Sequence, residues 1–228
     1  MSKKYMKKIL IILFTIISFQ IVSAQAIVRN IRNFTVLRVF DKIPVTLISS
    51  TENKVEIDGL KKEDVKTVRK GGELIIMMDK LKLLNDDEVN VKVYYKKLKS
   101  IHACEGSTIT GNNKLEVNLL NIGATEGSKI TVLVGVNRIH AKLNSKGEIK
   151  VSGMATHQNI KVSSGGKYDA KELDSNKVAV AVISQGTAIV NSNGLVETKI
   201  KDGGDINVYG GAEVIKKGIE GGGYVNIY

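Results

Sequence analysis

Two glutamates, Glu105 and Glu126, occupy the same place in two copies of the short phrase EGS. If the two copies stack as neighbouring coils of β-structure, equivalent residues lie ~4.8 Å apart. Two carboxylates that close could serve a retaining glycosidase as nucleophile and acid, or could bind a hard cation. The sequence favours a simpler interpretation, in which both side chains point into solvent at a turn. We keep Glu105 and Glu126 as candidate ligand-binding residues because of their expected closeness, and we predict no catalytic residue.

A second candidate group is basic. The chain carries a net charge of +11, and Lys142 and Lys161 occupy equivalent places in successive repeats. Such lysines could attract an anionic glycan, lipopolysaccharide or nucleic acid. Tryptophan is absent and aromatic residues make up only 5% of the chain, so we do not expect the stacking platforms that single-stranded nucleic acid and sugars favour. Lysines on outward strand faces also prevent sheet edges from pairing with other molecules, and this alternative stays open.

Other residues with metal or thiol chemistry give weaker signals. His102 and His140 lie in two copies of IHA, but two coils separate them by roughly 9–10 Å, too far to share an ion comfortably. Asp202 and Asp205 resemble part of a calcium-binding nonapeptide, yet neighbouring coils lack the aspartates on which that motif depends. Cys104, the only cysteine, is expected to be a partly shielded wall residue. No common hydrolase, zinc-protease, phosphate-loop or CxxC motif occurs, so we expect neither metal nor cofactor.

The elements that must position these residues are repeats of about 19 residues. An apolar strand runs into a turn of small residues and out into a second apolar strand. The last turn residue recurs every 18 to 21 residues, which is typical of a stacked β-solenoid. The turn residues in question are Ser107, Ser128, Gly147, Gly166, Gly186, Gly204 and Gly223. Glycine suits such a corner because it tolerates positive φ and packs closely against the next coil.

Apolar residues keep fixed places relative to this turn. Four residues before it stand Ala103, Ala124, Leu143, Val162, Val182, Ile200 and Ile219, and two residues after it stand Ile109, Ile130, Ile149, Tyr168, Ala188, Ile206 and Val225. Polar residues alternate with them, as in strands with one face buried. A further apolar residue, at Leu115, Val136, Met154, Leu173, Leu195 and Val214, predicts a third wall. The pattern indicates an all-β protein whose residues 100–228 form a right-handed, single-stranded parallel β-helix of about six to seven coils.

The N-terminal part lacks this repeat. Residues 1–24 combine lysines, an apolar run and small residues in the order of a secretory signal peptide cleaved after Ala24. In residues 25–99, short β-branched segments at 34–40, 43–48, 55–57, 73–78 and 89–95 predict strands. We expect them to form an antiparallel or mixed sheet that leads into the first coil and caps it, because the end of a solenoid otherwise exposes unpaired strand edges.

The chain resembles the putative auto-transporter adhesin family with the head GIN domain, which is common in Bacteroidetes-type bacteria. The resemblance rests on NFTVLRV, IPVTLIS and KVEIDG, on YYKKLKSIHACEGSTITG, and on GGDINVYGGAEV. The phrase LKSIHACEG departs from the family by inserting Cys104 and Glu105 where a serine- and glycine-rich segment is expected. The resemblance implies a β-sandwich-like N-terminal portion followed by a β-helix, an envelope or surface location, and a role in adhesion. It implies no catalytic residues.

These observations favour an exported, non-enzymatic protein of the periplasm or cell surface that binds an envelope glycan, a matrix component or a surface protein. A polysaccharide-active enzyme on a β-helix scaffold is the alternative, by analogy of fold alone. A self-assembling structural protein is another. Because GYVNIY ends the sequence in mid-strand, we predict that Tyr224, Ile227 and Tyr228 form a homodimer contact through the C-terminal coil. We expect no nucleic-acid partner and no transmembrane helix after signal cleavage.

Overall fold

The computed structural model describes residues 25–79 and 89–228, so the predicted signal peptide lies outside the described residues. Within them, nineteen strands join in one continuous sheet. The strands are β1 (Ile27–Asn30), β2 (Val36–Val39), β3 (Pro44–Ser49), β4 (Lys54–Asp58), β5 (Val65–Lys70), β6 (Glu73–Met78), β7 (Asn90–Tyr95), β8 (Ser100–Ala103), β9 (Thr108–Gly111), β10 (Leu115–Ala124), β11 (Lys129–Leu143), β12 (Glu148–Ser163), β13 (Gly166–Ala170), β14 (Leu173–Ile183), β15 (Gly186–Asn191), β16 (Leu195–Lys201), β17 (Asp205–Tyr209), β18 (Glu213–Glu220) and β19 (Tyr224–Ile227). A 3-10 turn spans Lys62–Asp64. In the two described ranges, no helix has the length and apolar character needed to cross a membrane.

The all-β class and the solenoid are confirmed, with about seven turns. The residues that precede the turn by four pair directly with one another from coil to coil, from Ala103 to Ile219. The residues that follow the turn by two do the same from Ile109 to Val225. In both columns every residue is buried except those of the last coil. Stacked apolar columns of this kind supply the main stabilising term of the fold.

Each coil has three walls. In β12, for example, residues 148–152 belong to the first wall, 153–155 to the second and 157–162 to the third. The second wall meets the third at residues left out of the parallel ladder, Asn118, Asn137, Thr156 and Asn176. We call this edge of the solenoid the second corner.

The third wall leads back to the first through the glycine corner, the turn that ends at the repeat residue of each coil. Its two central residues both have positive φ, as in a type I′ turn. The pairs are Asp41 and Lys42, Glu105 and Gly106, Glu126 and Gly127, Ser145 and Lys146, Ser164 and Gly165, Ser184 and Gln185, Asp202 and Gly203, and Gly221 and Gly222. Backbone hydrogen bonds link successive corners, since Gly106 N–H donates to Glu126 O at 2.9 Å and Gly127 N–H to Ser145 O at 3.0 Å.

The N-terminal strands continue the solenoid in an order that differs from the sequence. β2 and β3 pair in parallel with β8 and β9 on one side and with β6 and β7 on the other. The coil formed by β2 and β3 therefore lies between two layers that follow it in the chain. Of the two sheet types expected, the mixed one is present, because β1 with β4, β4 with β7 and β5 with β6 are antiparallel. This differs from the β-sandwich-like portion that the family resemblance implied.

Two predicted wall residues face the other way. Met154 is expected to point inward, but its side chain is 64% exposed, so that prediction is wrong. The prediction is also wrong for Leu195, which shares an outward column with Lys177 and Glu213, while Val196 beside it is buried. The inward column of the second wall runs from Val134 through Gly153 to Leu173. Gly153 has φ of +105° and a Cβ there would lie 2.1 Å from Val134 O. The backbone approaches closely at this point, and the alternation of the strand places Met154 outside.

Candidate functional site

The outward face of the third wall is basic. Exposed cations project from its middle coils. Five of them lie away from the glycine corner, Arg138, Lys142, Lys161, Lys177 and Lys199, and Lys201 lies next to that corner. Lys142 and Lys161 are direct neighbours across the parallel ladder, and Arg138, His157 and Lys177 form a second column. The ladder therefore brings together Lys142 and Lys161 as expected, and adds three cations that the sequence reasoning had not selected. We call these five residues the basic face.

The five cations of the basic face have no ion-pair partners among the described residues, and Glu197, a carboxylate on the same wall, pairs with Lys217 at 3.1 Å instead. None of the five forms an ion pair with another residue of 25–79 or 89–228. On the first wall, by contrast, Lys129 pairs with Glu148 at 3.5 Å, and Lys150 pairs with Glu172 at 3.6 Å. Lys142 and Lys161 are held ~4.8 Å apart, and one residue of the ladder separates Lys161 from Lys199. Unpaired like charges in such rows raise the local positive potential and attract polyanions.

A groove of about 630 Å³ runs along the second corner beside the basic face. Its lining combines polar side chains with apolar ones and is made of Lys114, Gly135, Val136, Asn137, Met154, Ala155, Thr156, Asp174, Ser175, Asn176 and Asn193. The Lys114 side chain lies over Gly135, since a Cβ at Gly135 would lie 2.5 Å from Cε of Lys114. The corner residues Asn137, Thr156 and Asn176 are each followed directly by a basic residue of the third wall.

Beneath this groove lies a buried chain of hydrogen bonds. The Tyr168 hydroxyl donates to Gln158 Oε1 at 2.9 Å, and Gln158 Nε2 donates to Ser175 Oγ at 2.9 Å. Ser175 Oγ then donates to the carbonyl oxygen of Asn191. Burial raises the pKa of Tyr168 well above its ordinary value, so the hydroxyl keeps its proton. Each link in the chain is satisfied, and a satisfied buried network rigidifies its surroundings.

Glu105 and Glu126 lie at the glycine corner, and both are exposed. A third carboxylate, Asp41, occupies the equivalent place in the β2 and β3 coil. A hydrogen bond with Asp41 raises the pKa of Glu105, with smaller contributions from burial and from the charges of Asp41 and Glu126. Asp41 also accepts a hydrogen bond from Met78 N–H at 2.8 Å. A neighbouring carboxylate raises the pKa of a carboxyl group because it disfavours a second negative charge. Whether Glu105 or Glu126 binds a ligand stays a prediction.

The two histidines of the IHA phrases lie in different columns. His102 shares a column with Gly123 and Lys142, and His140 shares one with Asn121 and Asn159. His102 is half-buried, and its Nε2 lies 2.8 Å from Ser100 Oγ. Burial, then the charge of Arg38, lowers the pKa of His102. In the described part of the chain, no group of three or more His, Cys, Asp or Glu side chains could hold a metal ion.

Cys104 is partly exposed at the end of the same wall. Burial raises the pKa of its thiol, and the charges of Glu126 and Glu105 add to this effect. The thiolate is the reactive form of cysteine, so its surroundings make Cys104 a poor nucleophile near neutral pH. This agrees with the interpretation of Cys104 as a partly shielded wall residue.

The turn residues divide into two structural types. Ser128 Oγ accepts a hydrogen bond from Thr125 N–H at 2.9 Å and donates to Ala103 O in the preceding coil at 2.7 Å, and Ser107 makes the equivalent bonds with Cys104 and Val39. Glycine replaces serine at Gly147, Gly166, Gly186, Gly204 and Gly223. At Gly147 a Cβ would lie 2.1 Å from Ala124 O, so the coils approach too closely for a side chain.

The predicted oligomer residues lie at the C-terminal end of the solenoid. Tyr224, Ile227 and Tyr228 are 72%, 56% and 66% exposed. The Tyr228 ring stacks on Tyr209 with centroids 4.7 Å apart. The homodimer contact through these residues stays a prediction.

Comparisons with known proteins agree with this architecture. The sequence model of the family described as "Putative auto-transporter adhesin, head GIN domain" matches residues 33–212. The fold is similar to a crystal structure of a "putative adhesin" from Bacteroides fragilis, with a TM-score of 0.79, 18% identity, and coverage of 90% of this chain and 97% of the other. It is also similar to a "putative adhesin" from Parabacteroides merdae, with a TM-score of 0.67, 19% identity, and coverage of 90% and 97%. A "putative lipid binding protein" from Parabacteroides distasonis gives a TM-score of 0.65 at 18% identity, with coverage of 90% and 98%. No curated protein matches the sequence.

Proposed function

Because the chain belongs to the family of auto-transporter adhesins with the head GIN domain, we propose that it is an exported, non-enzymatic envelope protein that binds an anionic glycan along its basic face. The observation that carries this proposal is the ladder of five exposed cations without ion-pair partners among the described residues. A stiff parallel sheet holds these charges in fixed rows, so a linear polyanion can contact several at once.

The positions of Glu105 and Glu126 argue against a catalytic role for these two glutamates. Glu105 and Glu126 belong to the row of turns that links successive coils, and Glu105 shares a hydrogen bond with Asp41. Both are exposed at this edge, and the raised pKa of Glu105 comes first from its hydrogen bond with Asp41 in the neighbouring corner, whereas the acid of a glycosidase gains its raised pKa from a desolvated pocket. The row of carboxylates is better explained as part of the corner.

The proposal is tested by removing charge from the basic face. In the triple variant Lys142→Gln, Lys161→Gln and Lys199→Gln, we expect affinity for polygalacturonate to fall roughly tenfold or more at low salt, since each exposed ion pair contributes about 0.2–1 kcal/mol. Binding of the unaltered protein should also weaken as salt rises, because exposed charges are screened. Titration calorimetry at two salt concentrations measures both effects.

The matched control removes the same charge from the first wall through Lys129→Gln, Lys150→Gln and Lys167→Gln. This variant should bind nearly as well as the unaltered protein. Equal loss in both triple variants would show that net charge, and not the basic face, controls binding. Protease treatment of intact cells tests the location, since a surface protein is cleaved and a periplasmic one is protected.

A further inference from the structure

We propose that the groove at the second corner is a binding subsite for one uronic acid residue of an acidic glycan. This inference rests on the proposed function and deepens it, because the groove adjoins the basic face. Uronic acids combine a ring rich in hydroxyl groups with one carboxylate. The lining of the groove offers polar and apolar contacts for the ring, and two cations for the carboxylate, Arg138 and Lys177, directly follow its corner residues Asn137 and Asn176.

Hydroxyl recognition is provided by the corner residues. Asn137 donates to Asn118 Oδ1 at 3.2 Å, which leaves its amide oxygen and its second amide hydrogen for a ligand. The side chains of Thr156 and Asn176 make no hydrogen bond within the described part of the chain, and both are exposed. Since they follow one another in successive coils, they offer donors and acceptors at ~4.8 Å intervals.

An apolar contact is provided by Met154. Its side chain is 64% exposed and lies between Gly135 and Asp174 in the outward column of the second wall. Exposed methionine is soft and adaptable and packs against varied apolar surfaces. The C–H face of a pyranose ring is such a surface.

The carboxylate partners stand at the edge of the groove. Arg138 follows Asn137, and Lys177 follows Asn176. Neither has an ion-pair partner among residues 25–79 and 89–228. Arginine recognises carboxylates in a bidentate manner, so a sugar ring that contacts the corner residues would place its carboxylate near a free guanidinium. Below the ring, the Tyr168, Gln158 and Ser175 network keeps the floor in place.

The first experiment observes the groove directly. The chain has five methionines, of which Met77, Met78 and Met154 follow the predicted cleavage site. In protein labelled with ¹³C at methionine methyl groups, trigalacturonate should shift the Met154 resonance and leave those of Met77 and Met78 in place. The variant Met154→Leu assigns the signal. Absence of a Met154 shift at millimolar trigalacturonate would overturn the proposal.

The second experiment separates recognition of the sugar ring from general electrostatic attraction. In Asn137→Ala with Asn176→Ala, we expect affinity for trigalacturonate to fall about tenfold, equivalent to two hydrogen bonds of modest net strength. Affinity for dextran sulfate, which has the charge without the carboxylate sugar, should stay within twofold. Equal loss for both ligands, or no loss for either, would overturn the subsite.

These outcomes also distinguish the two proposals. If the triple lysine variant loses polygalacturonate binding while the asparagine variant does not, the basic face stands and the subsite fails. If only the asparagine variant loses binding, the groove stands and the basic face fails. Both asparagines are exposed corner residues outside the ladder, so thermal melting should show the variants to be folded.

Discussion

The glycine corner and the second corner both redirect the chain in the same coils, yet they differ in how regular their backbone geometry is from coil to coil. At the glycine corner, eight successive turns repeat one pair of positive φ values, and backbone hydrogen bonds join them. At the second corner, three asparagines and one threonine occupy successive coils, their side chains are exposed, and a groove opens. The corner whose geometry is fixed by close backbone contact has little freedom to acquire a binding role. The corner that stands clear of the ladder can change its side chains without cost to the fold.

The sharpest test of this contrast is Gly147→Ala. The new Cβ would overlap Ala124 O, 2.1 Å away in the preceding coil, and neither backbone can move without breaking the ladder. We expect a loss of about 3–5 kcal/mol in the free energy of unfolding, measured by urea denaturation.

Two control variants accompany it. Gly127→Ala has no atom within 4 Å of the new Cβ but keeps φ at +70°, so it should cost about 1–2 kcal/mol. Thr156→Ala at the second corner should stay within about 0.5 kcal/mol of the unaltered protein. A Gly147→Ala protein as stable as the Thr156→Ala protein would remove the distinction between the corners.

An intermediate effect is expected from Tyr168→Phe. The change leaves Gln158 Oε1 buried without its donor, and an unsatisfied buried group costs about 1–3 kcal/mol. The free energy of unfolding should fall by this amount. Tyr209→Phe, which removes a hydroxyl from a partly exposed ring stacked on Tyr228, should change it little. Equal effects of the two substitutions would mean that the buried network beneath the second corner does not contribute to the free energy of unfolding.

The smallest effect concerns charge at the glycine corner. Because the pKa of Glu105 is raised in the folded protein, folding holds a proton there that the unfolded chain releases. Stability from this group is therefore present at low pH and lost as the pH rises through the raised pKa. Glu105→Gln keeps a hydrogen-bonding amide next to Asp41 without the charge. It should be slightly more stable than the unaltered protein at pH 7 and lose this advantage near pH 3. Urea midpoints at the two pH values measure the difference, and a constant difference would contradict the assignment.

The glycine corner and the inward columns could be predicted from the sequence because a solenoid repeats the same constraint on every coil. Ala103 to Ile219 and Ile109 to Val225 keep their places relative to the turn, and the register follows them. The second corner could not be predicted in the same way. Asn137 and Thr156 interrupt the period-2 pattern. The inward places before Thr156 are taken by Gly153 and Ala155, and such small residues give little hydrophobic signal.

The basic face was partly predictable. Lys142 and Lys161 could be aligned because both lie in long strands close to the glycine corner. Arg138 and Lys177 lie just after the second corner, where the varying loop length obscures the alignment. A useful signal was nevertheless present, since a polar residue precedes a basic one in NR, TH and NK at the start of three successive third-wall strands. The N-terminal strands at 34–40, 43–48, 55–57, 73–78 and 89–95 correspond to β2, β3, β4, β6 and β7, whereas β1 and β5 were missed.

The position of β2 and β3 between later strands has a consequence for how the molecule is assembled. A chain synthesised from its N-terminus must hold the coil of β2 and β3 without these parallel partners until β6 to β9 have been made to flank it on both sides. Such long-range pairing is slow to form. Once this pairing is complete, its exposed strand edges provide a template on which each subsequent coil can form in turn. Unravelling should run in the opposite direction, from β19 backwards, so that the segment made first is the last to be released.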